Sequence, residues 1–212
     1  MKLFRILAIA AMAMVSSVSA QAGVVLSNMG AAGTSNTSTN TNTDIVSSDR
    51  IAAGFTTGST DQILDWVALW TFNNDAPGTK TVSIFSDASG SPGASVGTST
   101  ATNVPGSKGR YQFDFSGVTL TANTKYWVLP EVGLSWYTAQ ANAAPTAQNG
   151  SGFSFDGMKE SFDAGANWSP LAFNYTLAIS TSDVPPAAIP EPALTSLLCL
   201  SGIALIRRRM KK

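Results

Sequence analysis

Three carboxylates crowd the stretch SFDGMKESFDAG: Asp156, Glu160 and Asp163. Two carboxyl groups held about 5 to 9.5 Å apart are sufficient for glycoside hydrolysis, and acidic side chains in a loop also suit calcium. The same residues read more readily as turn and loop positions between short strands, with Asp156-Gly157 a hairpin turn. The order Asp-x-Asp-x-Asp-Gly of a calcium loop is missing, and the structural reading is the one adopted. Asp87, in DASGSPG, is likewise read as a turn residue. The chain contains no histidine, which excludes Ser-His-Asp and Cys-His catalysis and removes the usual zinc and copper ligands. Its single cysteine, Cys199, lies in an apolar segment near the C-terminus, so the body has neither a thiol nucleophile nor a disulfide. No catalytic, metal or cofactor site is expected. The expectation is a non-enzymatic protein, with a carboxylate-based glycoside hydrolase the least favoured alternative.

Aromatic residues offer a second kind of chemistry, stacking on sugar rings. Of the five tryptophans, Trp66, Trp70 and Trp127 fall in apolar runs and are expected in the core. Trp136, in GLSWYTA, and Trp168, in GANWSPL, fall in Gly/Ser-rich stretches read as loops. With Tyr137 they form the candidate carbohydrate-binding set, Trp136, Tyr137 and Trp168.

The elements that must hold these residues read as β throughout. QILDWVALWTFN, from Gln62 to Asn73, is apolar on both faces. Strict alternation puts Leu64, Trp66, Ala68, Trp70 and Phe72 on one side, with Ile63, Asp65, Val67, Leu69 and Thr71 on the other. Lys80 to Ser86 forms a strand between DAPG and DASGSPG. In RYQFDFS, Tyr111, Phe113 and Phe115 point inward and Gln112 and Asp114 outward. Lys125 to Val132 gives another strand, interrupted at Pro130, where a ladder donor is lost. Gly152 to Phe155 and Phe173 to Ser180 are further candidates, and TSNTSTNTNT (34–43) reads as a polar low-complexity surface loop or flexible segment. Short strands punctuated by Gly, Pro, Asn and Ser, with no amphipathic helix, predict a single all-β domain: an antiparallel sandwich or jelly roll over 23–183.

The two ends differ from this body. Lys2 and Arg5 precede the apolar run Ile6 to Val15 and the small residues SSVSAQA, the layout of a secretory signal peptide over 1–22 cleaved after Ala20 or Ala22. At the other end, Pro190-Glu191-Pro192 precedes an apolar run from Ala193 to Ile206 and the basic tail 207–212. Fourteen residues as helix span about 21 Å, short of the roughly 30 Å hydrocarbon core; snorkelling by Arg207, Arg208 and Arg209 closes part of that gap. Those arginines belong on the cytoplasmic side. An ordinary membrane anchor is the alternative for this segment. Between Gly23 and Ile189, six basic residues stand against twelve acidic ones, a net charge near minus six. That balance argues against nucleic acid, whose binding needs clustered Lys and Arg.

The C-terminal triplet, the apolar stretch with Gly202 and the terminal Arg207-Arg208-Arg209 together resemble the PEP-CTERM sorting signal of Gram-negative bacteria. The resemblance implies recognition by exosortase, a membrane-embedded cysteine protease. It also implies transient anchoring in the inner membrane through the C-terminal helix, followed by delivery to the cell surface or extracellular matrix. Carriers of this signal are often associated with exopolysaccharide and biofilm. The body from Val24 to Ser182 resembles the choice-anchor R domain, a small β-sandwich. The resemblance rests on Phe55-Thr56-Thr57-Gly58, on the hairpin from Ser86 to Gly93, and on LTANT followed by Tyr126-Trp127. It carries over no catalytic residues. The expected role is structural or adhesive in a polysaccharide context, with exosortase and possible extracellular polysaccharide as partners; carbohydrate binding through the loop aromatics is the alternative.

Overall fold

The computed structural model describes residues 23–29, 37–45 and 48–184. The expected signal peptide, the sorting motif with Pro190, Glu191, Pro192 and Arg207 to Arg209, and Cys199 lie outside them. The described chain is all-β. Its strands are β1 (Gly23–Ser27), β2 (Thr37–Asp44), β3 (Arg50–Thr56), β4 (Gln62–Asn73), β5 (Gly78–Lys80), β6 (Val82–Asp87), β7 (Pro92–Thr98) and β8 (Thr102–Val104). They continue with β9 (Gly109–Leu120), β10 (Lys125–Pro130), β11 (Leu134–Ala139), β12 (Thr146–Ala147), β13 (Ser154–Ser161), β14 (Ser169–Leu171) and β15 (Leu177–Asp183). One short 3-10 turn, Gln140–Asn142, follows β11.

All strand pairs are antiparallel. A seven-stranded sheet runs β12-β1-β15-β4-β11-β2, with β9 on the remaining edge of β4. A six-stranded sheet runs β14-β13-β3-β10-β6-β7, and β5 pairs with β8 alone. Strand β4 organises the first sheet. Leu69 pairs with Tyr111 of β9 on one edge and Leu177 of β15 on the other; Thr71 pairs with Gly109 and with Trp136 of β11. Strands β15 and β11 therefore lie end to end along one edge of β4, while β9 pairs along the other from Gln62 to Thr71. One apolar cluster draws on both large sheets: Val67, Leu69, Phe113 and Ile179 from the first, Phe55, Ile84 and Val128 from the second. Each such side chain contributes about 1.5 to 3 kcal/mol when fully buried.

Several sequence expectations hold. In β9 Phe113 and Phe115 are buried and Asp114 exposed, as the alternation requires. Strand β10 ends at Pro130, and DASGSPG turns between β6 and β7 through Ala88 N–H to Ser91 C=O at 2.7 Å and Gly90 N–H to Asp87 Oδ2 at 2.9 Å.

Others are corrected. The tract TSNTSTNTNT is not a loop from Thr37 onward: Thr37–Asp44 is strand, paired with β11 from Asp44↔Ser135 to Thr37↔Ala139. Polarity hid it, although threonine recurs at every second position and its β-branch favours extended backbone. GLSWYTA is not a loop either, because Leu134–Ala139 forms β11 between β4 and β2. Asp156-Gly157 does not turn a hairpin. The register of β13 against β3 steps from Phe155↔Phe55 to Gly157↔Gly54, leaving Asp156 as the extra residue of a bulge, with Gly157 at φ +93°.

Strand β4 carries the most consequential correction. Against β15 its pairing steps from Leu64↔Thr181 to Trp66↔Ser180, so Asp65 is the extra residue of a bulge, while on the other edge β9 carries extra residues between Asp114, opposite Trp66, and Val118, opposite Leu64. A one-residue insertion exchanges the two faces beyond it. Leu64 and then Val67, Leu69 and Thr71 face the core at 0 % exposure, whereas Trp66, Trp70 and Phe72 are half-buried on the outer face. Strand β9 makes the matching change of phase through Gly117, at φ +72°, bringing Val118 and Leu120 inward after Phe113 and Phe115.

Candidate functional site

The three aromatic residues singled out as a sugar-binding set are not brought together. Trp136 is completely buried: its ring lies 5.3 Å from that of Tyr175, and its Nε1–H donates to the Thr176 carbonyl at 2.7 Å. It cannot meet a ligand, because its position in β11 opposite Thr71 points it into the core. Tyr137, the next residue, takes the opposite face and packs beside Phe72 at 6.0 Å. Burial, then the charge of Asp44, raises its phenol above the ordinary value. Trp168 is half-buried in the connection between β13 and β14, in the other large sheet. That connection is tightly built. Asp163 accepts from Asn167 Nδ2 at 2.6 Å, Asn167 N–H at 2.8 Å and Ser161 Oγ at 2.7 Å, which hold its carboxyl down to about 2. Phe162, 67 % exposed, stands at the start of this loop; nothing in the sequence set it apart from the core phenylalanines.

Two of the three carboxylates are used structurally. Asp156 accepts from Thr56 Oγ1 at 2.6 Å on the neighbouring strand, Asp163 organises its own loop, and Glu160 lies between them in β13. Among the described residues, no group of three or more His, Cys, Asp or Glu side chains is placed to hold a metal ion.

Trp127 is buried, as expected, but from the outer face of the six-stranded sheet. Its indole rests on Gly54, the cross-strand partner, where a Cβ would stand 2.9 Å from Cζ3. Lys125 and Lys159 cover the ring at 4.7 and 5.8 Å, and Nε1–H donates to Asp87 Oδ1 at 2.8 Å. Burial acts to raise the Asp87 carboxyl. The Gly90 and Trp127 hydrogen bonds and the two lysine charges outweigh it and hold the group below its ordinary value. This cluster clamps the β6–β7 hairpin to the sheet. A shallow depression of about 220 Å³ lies further along the same sheet, beside Arg50, Phe85, Leu129 and Glu131.

The aromatic surface lies instead on the outer face of the seven-stranded sheet. Trp66, Trp70 and Phe72 alternate along β4 past the Asp65 bulge, and Tyr137 of β11 extends the row beside Phe72. Four residues of strand set the Cα atoms of the two tryptophans about 13 Å apart, with Ala68 between them. Strand β9 flanks the row with Asp114 opposite Trp66, Gln112 opposite Ala68 and Arg110 opposite Trp70. The Arg110 guanidinium reaches back over the Trp66 ring, 5.2 Å from its centroid. Gln112 Nε2–H donates to Asp114 Oδ1 at 2.7 Å. At the bulge, Asp65 Oδ1 accepts from Ser182 Oγ at 2.9 Å, while Oδ2 is buried without a hydrogen-bond partner. An unpaired buried acceptor is costly, so the bulge that turns the aromatic row to the outer face is itself a point of stored cost.

No family model and no curated protein matches this chain.

Proposed function

We propose that this protein is an exported, non-enzymatic component of the bacterial cell surface or extracellular matrix, delivered by a PEP-CTERM/exosortase-type system and serving a structural or adhesive role. Its body is a single antiparallel sandwich of the jelly-roll kind, formed by the two large sheets around their shared core. The observation that carries the reading is the order of three elements: a basic, apolar, small-residue leader over 1–22, an all-β body, and Pro190-Glu191-Pro192 followed by an apolar run and Arg207-Arg208-Arg209. The body fits that arrangement. Gly23 at the start of β1 pairs beside Thr181 near the end of β15, so the leader and the tail leave it from neighbouring strands at one end. A domain held at that end presents its far loops outward. The absence of histidine and the structural use of Asp156 and Asp163 support a role without catalysis.

Intact-mass spectrometry of the protein from the cell surface and the medium tests this. The expected mass lacks the first twenty or so residues and everything beyond the Pro-Glu-Pro region. A mass retaining Arg207 to Lys212 means a membrane-tethered protein and removes the exosortase step.

A further inference from the structure

We propose that the outer face of the seven-stranded sheet, along β4, is a binding track for an extended, uncharged polysaccharide chain. The inference deepens the surface or matrix role and rests on it for the class of ligand; the face itself stands on geometry. Trp66, Trp70 and Phe72 are carried on one strand, with Tyr137 at the end of the row, so their positions are fixed by sheet hydrogen bonds rather than by loops. Tryptophans whose Cα atoms stand about 13 Å apart along the strand are too widely spaced for one sugar ring to cover both. They suit a chain lying along the strand, its apolar C–H faces stacking on successive rings.

Charge selects the chain. The charged groups along the row are Arg110, Asp114, Asp65 and, beside Tyr137, Asp44; Arg110 lies against Trp66, Asp114 accepts from Gln112 and Asp65 from Ser182. Acids therefore outnumber the single base along the row, and this balance, with the net charge near minus six of the exported portion, repels an anionic polymer. Arg110, Gln112 and Asp114 instead line one side of the row with donors and acceptors suited to hydroxyl groups.

The test titrates the purified full chain, in mild detergent, with neutral β-linked hexasaccharides (cellohexaose, mannohexaose and xylohexaose). Tryptophan fluorescence and calorimetry report binding, and an alginate hexamer is the acidic contrast. At least one neutral chain is expected to bind saturably, more tightly than alginate. Trp70→Ala should weaken it at least about tenfold, and Trp66→Ala/Trp70→Ala should abolish it. Trp70→Leu keeps apolar bulk without the flat ring and should behave as Trp70→Ala does, which separates lost stacking from lost stability; circular dichroism confirms the fold. No binding of any neutral chain at millimolar concentration overturns the proposal, as does tighter binding of alginate or unchanged affinity in the double variant. Correct processing with no binding removes the track alone, whereas binding by an unprocessed, membrane-retained chain removes the export reading alone.

Discussion

Replacing Trp136 by alanine separates the structure from the expectation that this residue meets a ligand. Its indole is fully buried, lies 5.3 Å from the Tyr175 ring and donates to Thr176 C=O at 2.7 Å. Truncating a buried aromatic to alanine costs about 3 to 5 kcal/mol, and the abandoned carbonyl, worth about 1 to 3 kcal/mol on its own, places the total near the top of that range. At roughly 2 to 4 °C per kcal/mol for a domain of this size, the melting temperature should fall by about 10 to 20 °C. Trp136→Phe keeps a ring against Tyr175 and loses the donor with part of the volume, so about 2 kcal/mol is expected. Thermal melting by circular dichroism and urea midpoints read both. The core placement is refuted if Trp136→Ala melts within about 2 °C of the parent. It is equally refuted if the variant loses glycan binding at unchanged stability.

Two further predictions follow from contacts away from that site. Gly54→Ala sets a Cβ 2.9 Å from Trp127 Cζ3, and the ring is pinned by Asp87 and covered by two lysines. A loss of about 1 to 3 kcal/mol is expected in urea unfolding, and an unchanged midpoint would show that the indole has room to move. For Asp163, whose folded pKa of about 2 lies below the ordinary value of about 3.9, the contribution to stability is present above about pH 4 and is lost as pH falls toward 2. The difference in urea midpoint between the parent and Asp163→Asn should therefore close between about pH 4 and pH 2; a difference independent of pH contradicts the hydrogen-bonded loop.

Local chemistry alone determined much of this protein. The absence of histidine excluded whole classes of catalysis. The alternation in RYQFDFS fixed which side of β9 meets the core, since only one of its faces is apolar. DASGSPG stated its own turn, because Asp87 and Gly90 close it within a few residues. Tertiary structure decided the rest, wherever the sequence offered no contrast. Strand β4 is apolar on both faces, so no pattern within it reveals that Asp65 bulges and turns Trp66 and Trp70 outward; the register of β15 and β9 sets that. The low hydropathy of TSNTSTNTNT concealed a strand that exists through pairing with β11. Trp136 is buried by Tyr175 and Thr176, about forty residues away in sequence, and no neighbour in GLSWYTA foretells them. The aromatic track was therefore present in the sequence as residue types, but which aromatics face outward was settled by strand register, a property of the assembled sheet rather than of any one strand.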